Sequence, residues 1–102
     1  MTDAAACVSE VAMTIPPGKV MTYGQIGKIC GLHPRHVGKL VSQFNGDEPW
    51  WRIVAADGLP AACHGGIAHE LLLDEGVPFN GYRIDKTFMT QLADRLDSGE
   101  LT

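Results

Sequence analysis

The sequence predicts a mostly α, winged helix-turn-helix type domain of about five helices with a small strand or wing element. Three observations carry that expectation: two short helical segments joined by a tight turn, an apolar stripe on the second backed by basic and small residues, and a brief β-compatible stretch after it. The 102 residues suffice for one domain with one core and not for a second.

A first helix is predicted from Asp3 to about Met13, with Val8, Val11 and Ala12 inward, and it stops before Pro16, whose ring cannot continue it. Pro16-Pro17-Gly18-Lys19 then forms a tight connection. Thr22-Tyr23-Gly24-Gln25 fits a capping box, so a short helix starts near Tyr23, and Gly31 ends it. Pro34 suits the first turn of a third helix, where its missing amide hydrogen costs nothing. Val37, Leu40, Val41 and Phe44 fall at i, i+3, i+4 and i+7 and make one apolar face, opposite Arg35, Gly38, Lys39 and Ser42. An interior glycine costs a helix about 1 kcal/mol relative to alanine, so close approach of a partner to the backbone is a reason for Gly38.

Asn45-Gly46-Asp47-Glu48 reads as a loop, Trp51 to Ala55 as a short strand and Asp57-Gly58 as a turn. Gly65-Gly66 precede a helix from about Ile67 to Glu75, closed by Gly76. Val77 to Asp85 is read as irregular or extended. A last helix from about Thr87 to Leu101 places Phe88, Leu92 and Leu96 on one side.

The net charge of -4 argues against a polyanionic partner only if the charge is spread evenly, and it is not. Between Pro16 and Phe44 stand Lys19, Lys28, Arg35 and Lys39 with no acidic residue, whereas beyond Arg52 the acidic residues predominate. One end of the molecule can therefore face phosphates. No apolar run approaches the roughly 18 residues of a membrane span, and Met1-Thr2-Asp3 lacks the basic start of a secretory signal. Three widely spaced cysteines, Cys7, Cys30 and Cys63, suit reduced thiols better than a disulfide framework, and their spacing suggests no zinc. A cytoplasmic, nucleoid-associated monomer without metal, cofactor or membrane partner is expected.

Five ordered segments carry a resemblance. Ile15-Pro16-Pro17-Gly18-Lys19-Val20, running on to Tyr23-Gly24, resembles the Ile-Pro-x-Gly-Lys-Val-x-x-Tyr-Gly segment of the O6-alkylguanine-DNA alkyltransferases. Arg35-His36-Val37-Gly38 looks like the start of their recognition helix, and Leu71 to Gly76 like their closing helix. Pro49-Trp50-Trp51-Arg52 is similar to their active-site Pro-Cys-His-Arg, with nucleophile and activating histidine both replaced, and Ile53-Val54 with Asp57-Gly58 follows it. Tryptophan at the cysteine position marks the alkyltransferase-like group, which binds alkylated bases without repairing them.

The resemblance implies minor-groove binding by the helix-turn-helix and rotation of a damaged nucleotide out of the duplex. Arg35 matches the arginine that fills the vacated place in the base stack, and Tyr23 the tyrosine that crowds the phosphate. Thr22, Gly38, Lys39 and Ser42 complete the expected DNA-contacting set. Trp50, Arg52, Cys63, His64 and Gly65 are the expected lesion pocket, with His64 able to donate a hydrogen bond to the base oxygen. Glu75 matches the glutamate that orients the enzymes' histidine, which leaves it a different partner, such as an indole N–H, or a simple place at a helix end.

The expected function is thus non-enzymatic recognition of O6-alkylguanine in double-stranded DNA, with presentation of the lesion to nucleotide excision repair proteins. No residue is assigned a catalytic role. Two alternatives stand beside it: an alkyltransferase acting through Cys63, and a winged-helix regulator without lesion specificity. Sequence neighbours such as Cys63 and His64 seldom form a nucleophile and base pair, because that pairing needs side-chain geometry and a third orienting group.

Overall fold

A computed structural model describes residues 3–44, 47–62 and 64–89. Helix α1 spans Ala4–Met13 and is capped by Asp3, whose carboxylate accepts the Ala5 amide hydrogen at 3.1 Å. Val8 and Ala12 are fully buried and Val11 is half-buried, as their spacing predicts. Strand β1, Met21–Thr22, runs directly into helix α2, Tyr23–Cys30. The capping box is present: the Gln25 amide donates to the Thr22 hydroxyl at 3.1 Å and the Thr22 amide to Gln25 Oε1 at 2.8 Å. Gly31 closes α2 in the left-handed region, at φ 71°.

Helix α3, Pro34–Ser42, begins with Pro34 in its first turn, and His33 caps it through Nδ1, which accepts the Arg35 amide hydrogen at 3.1 Å. A β-carbon at Gly27 would collide with the Leu32 carbonyl, so glycine there allows the close turn from α2 to α3. Val37, Val41 and Phe44 face inward with Leu40 half-buried beside them, while Arg35, His36, Lys39 and Ser42 are exposed. The predicted helix-turn-helix is therefore formed.

The strand predicted over Trp51 to Ala55 requires correction. Trp50–Arg52 is a 3₁₀ turn, and only Ile53–Val54 forms a strand, β2, which pairs in parallel with β1 through Met21 opposite Ile53 and Thr22 opposite Val54. Pro49 initiates the turn, since its carbonyl accepts the Arg52 amide hydrogen at 3.0 Å. Helix α4 spans Ala68–Asp74, and Gly76, at φ 88°, follows its end. The segment read as irregular or extended holds a hairpin, β3 (Phe79–Asn80) and β4 (Arg83–Ile84), joined through Gly81 at φ 72°. The Ile84 amide donates to the Gly58 carbonyl at 3.0 Å and docks this wing on the turn after β2.

Of the predicted last helix, residues 86–89 are helical, and Asp85 Oδ1 caps them by accepting the Thr87 and Phe88 amide hydrogens at 2.9 and 3.3 Å. The rest of that helix, the Asn45-Gly46 half of the predicted loop, and Cys63 lie outside the described residues.

Two apolar clusters make the interior. The first gathers Val8, Ala12, Ile15, Ile26, Val37, Val41, Phe44, Trp50, Ile53, Ala61 and Ala68 around the helix-turn-helix. The second gathers Val20, Val54, Leu72, Val77 and Ile84 beneath the wing, with Phe79, Phe88 and Met89 against it. Trp51 packs on both and joins them.

The expectation of reduced thiols is overturned at two of the three cysteines. Cys7 and Cys30 form a disulfide between α1 and α2, with Cα atoms 6.0 Å apart. Spacing along the chain hides this, because the packing of α1 against α2 brings together residues separated by 23 positions. Closing a loop of that length stabilises a fold by about 3 kcal/mol. Thermal unfolding of Cys30→Ser, or of the protein in reductant, is expected to show a loss of about that size. Unchanged unfolding, with Cys7 and Cys30 both open to alkylation in the untreated protein, would contradict the pairing.

Candidate nucleic-acid interface

The exposed side of α3 carries basic side chains. His33, Arg35, His36 and Lys39 line a shallow basin of about 500 Å³ on it. This concavity lies on the helix face. The Arg35 amide donates to His33 Nδ1 at 3.1 Å and the Ser42 hydroxyl to the Lys39 carbonyl at 2.6 Å, so both donors are satisfied within the helix and its cap. The Arg35 and Lys39 side chains are left pointing to solvent on an acid-free stretch of chain, which suits phosphate contact.

Tyr23 is half-buried at the start of α2, with its ring 3.9 Å from the place a β-carbon at Gly38 would take. A side chain at Gly38 would meet only ordinary contact there, so the fold itself does not demand glycine. Thr22 is buried, and its hydroxyl serves the capping box. Tyr23, Arg35, Gly38, Lys39 and Ser42 are thus gathered on α2 and α3, with Thr22 beneath them.

The expected lesion pocket is organised around Trp50, which is only 4% exposed. The His64 imidazole lies stacked on its indole, with ring centroids 4.4 Å apart and planes tilted by 20°. His64 Nε2–H donates to the Phe44 carbonyl at 2.6 Å, while Nδ1 is buried with no hydrogen-bond partner among the described residues. The backbone of His64 is left-handed at φ 56°, and Gly65 and Gly66 follow at 81° and 71°. A residue with a β-carbon is disfavoured in that region, so local contacts must hold it there. Gly65 is exposed beside this stack.

Arg52, also expected in the pocket, is committed beneath it. Its Nε and Nη2 donate to Glu75 at 2.6 to 3.2 Å and its Nη1 to the Ile15 carbonyl at 2.8 Å. Glu75 receives two further donors, the Trp51 indole N–H at 3.1 Å and the Gly18 amide at 3.3 Å. The indole partner anticipated for Glu75 is therefore present, and the arginine is the partner that sequence reasoning missed. A lone arginine between an aromatic pair and an apolar strand was the available signal, since a half-buried guanidinium needs a carboxylate. The guanidinium also lies over the Trp51 ring, 5.1 Å from its centroid.

A family model described as "6-O-methylguanine DNA methyltransferase, DNA binding domain" matches residues 3–77. The chain belongs to this family. A DNA base-flipping protein of Vibrio parahaemolyticus is 44% identical over 55 residues, which make up 50% of this chain and 55% of that one. The match thus spans about half the length of that curated relative. Among solved structures, S. pombe Atl1 in complex with damaged DNA containing O6-carboxymethylguanine superposes with a TM-score of 0.73 at 24% identity, over 83% of this chain and 93% of that one. At that identity the likeness shows the fold. The O6-methylguanine methyltransferase of Mycobacterium tuberculosis gives 0.65 at 28% identity, covering 78% of this chain and 53% of the enzyme.

The Glu75 carboxyl is held below its ordinary range, first by hydrogen bonds from Arg52 and next by the Trp51 indole and the Gly18 amide, against the opposing effect of burial. A carboxyl depressed by folding contributes stability that is present above its unfolded value, near ~4.3, and is lost as pH falls through the folded value. Glu75→Gln is expected to lower stability near neutral pH by about 2–4 kcal/mol, because it leaves a half-buried guanidinium without its charge partner. The variant should also lose part of the acid-side slope in urea unfolding below about pH 4. A neutral-pH loss under about 0.5 kcal/mol, the level of an exposed pair, would show that the network is dispensable.

Proposed function

We propose that this chain recognises O6-alkylguanine in double-stranded DNA by rotating the nucleotide out of the helix, and that it transfers no alkyl group. The observation that carries the reading is the pairing of a retained interface with an absent nucleophile. The helix-turn-helix keeps Arg35 exposed on α3 and the Tyr23 ring beside Gly38, while Trp50 stands where the resemblance puts the reactive cysteine and is buried under His64. An indole carries no group able to accept an alkyl cation equivalent under mild conditions, so binding is the role left to the site.

Two relatives support this. Atl1 is described in complex with damaged DNA and the Vibrio protein as base-flipping. Arg35 would enter the stack, where its planar guanidinium covers neighbouring pairs better than an ammonium. Tyr23 would press on the phosphate of the rotating nucleotide. Unstacking costs a few kcal/mol and costs least for a mispaired, damaged base, which favours the lesion over normal guanine. Acting as a monomer, the protein would then present the lesion to nucleotide excision repair.

The test is to bind matched duplexes carrying guanine or O6-methylguanine across a salt series and then to weigh the protein intact. A clear preference for the lesion, no gain of a methyl mass, and a log-log salt slope of about -3 for three or four phosphate contacts are expected. Arg35→Ala and Tyr23→Ala should each weaken lesion binding by about tenfold or more, with the fold retained. Methyl transfer would overturn the non-enzymatic reading, and equal affinity for both duplexes would overturn lesion recognition.

A further inference from the structure

His64 is more than a wall residue in this geometry. Its ring lies on the Trp50 indole in the parallel arrangement that a nucleobase adopts on an aromatic platform. One nitrogen is tethered to the Phe44 carbonyl, and the other is buried without a partner among the described residues. The ring is carried on a left-handed backbone that its β-carbon disfavours, followed by two left-handed glycines. At neither Gly65 nor Gly66 would a β-carbon meet any atom within 4 Å, so space is open around this stretch.

We propose that His64 is a surrogate base. In the DNA-free protein its imidazole occupies the place that the everted, O6-alkylated purine takes on binding, and it swings out about Gly65-Gly66 to let the purine stack on Trp50. This rests on the nucleotide-flipping reading above. A planar heteroaromatic ring with in-plane nitrogen keeps the apolar platform covered, and the backbone strain stored at His64 is released when the ring leaves. A base enters only if its own eversion costs less than its stack on Trp50 returns beyond that of the imidazole. His64 would thereby set the threshold that separates a weakly paired lesion from a well-paired guanine.

The experiment uses the full chain with isotope-labelled histidine, followed by NMR. In the free protein the His64 ring protons should be displaced upfield by the Trp50 ring current. That displacement should vanish on adding a duplex with one O6-methylguanine and persist with the matched unmodified duplex. In parallel, His64→Ala should bind the lesion duplex about tenfold more tightly, since no stack or hydrogen bond has to be broken first. Its affinity for the unmodified duplex, set by phosphate contacts, should stay within about twofold.

A displacement that persists in the lesion complex, with lesion preference intact, would overturn the surrogate-base role alone. Weaker or equal lesion binding by His64→Ala would do the same by making His64 a contact to the bound base. Failure of the wild-type protein to distinguish the two duplexes would remove the flipping reading, and this proposal with it.

Discussion

The Arg52–Glu75 pair is the contact on which the arrangement of this small domain depends. Two carboxylate oxygens and one guanidinium draw together the end of α4, the 3₁₀ turn that carries both tryptophans, the Pro16-Pro17-Gly18 connection and the Ile15 carbonyl at the close of the α1 segment. The side chains are 13% and 16% exposed, so the attraction is only partly screened and the geometry is bidentate. An exposed pair of the same composition, such as Arg83 and Asp57 on the wing, holds much less. Around the inner pair the two apolar clusters meet at Trp51, whose indole N–H answers the same carboxylate.

That arrangement gives a physical reason for the second tryptophan. The resemblance places Glu75 where the enzymes' glutamate holds a histidine, and an indole is the one large aromatic side chain that can donate a hydrogen bond without also accepting one. Trp51 therefore keeps the carboxylate satisfied while it fills the seam between clusters. The 3₁₀ turn sets the two rings nearly perpendicular, 87° apart, which fixes Trp50 with a face toward His64. One tryptophan lies under the His64 ring and the other anchors the turn through Glu75.

The helix-turn-helix was readable because its signals are local. Asp3, the Thr22 and Gln25 box, Gly31 and Pro34 each act within one turn of the backbone they cap, and each does so in the structure. The parallel pairing of β1 with β2, the Cys7–Cys30 disulfide and the Arg52–Glu75 contact join residues more than twenty positions apart, and no periodicity announces them. The strand expected over Trp51 to Ala55 begins two residues later because Pro49 starts a 3₁₀ turn through Arg52. The hairpin around Gly81 had a local mark in Asn80-Gly81, but its flanking strands are too short to show an alternating pattern. At the site, the residue types were legible and their states were not. The apolar setting of Arg52 hints that it turns inward, but nothing in the sequence says that Glu75 is its partner or that His64 lies over Trp50.

Arg52 and Glu75 act as one unit, and a double-mutant cycle measures this directly. Stabilities of the wild type, Arg52→Met, Glu75→Gln and the double variant would be determined by urea unfolding at neutral pH. A coupling energy of about 2 kcal/mol or more, with the double variant more stable than the sum of the single losses implies, is the predicted result. Additive losses, with coupling within about 0.5 kcal/mol of zero, would contradict the account.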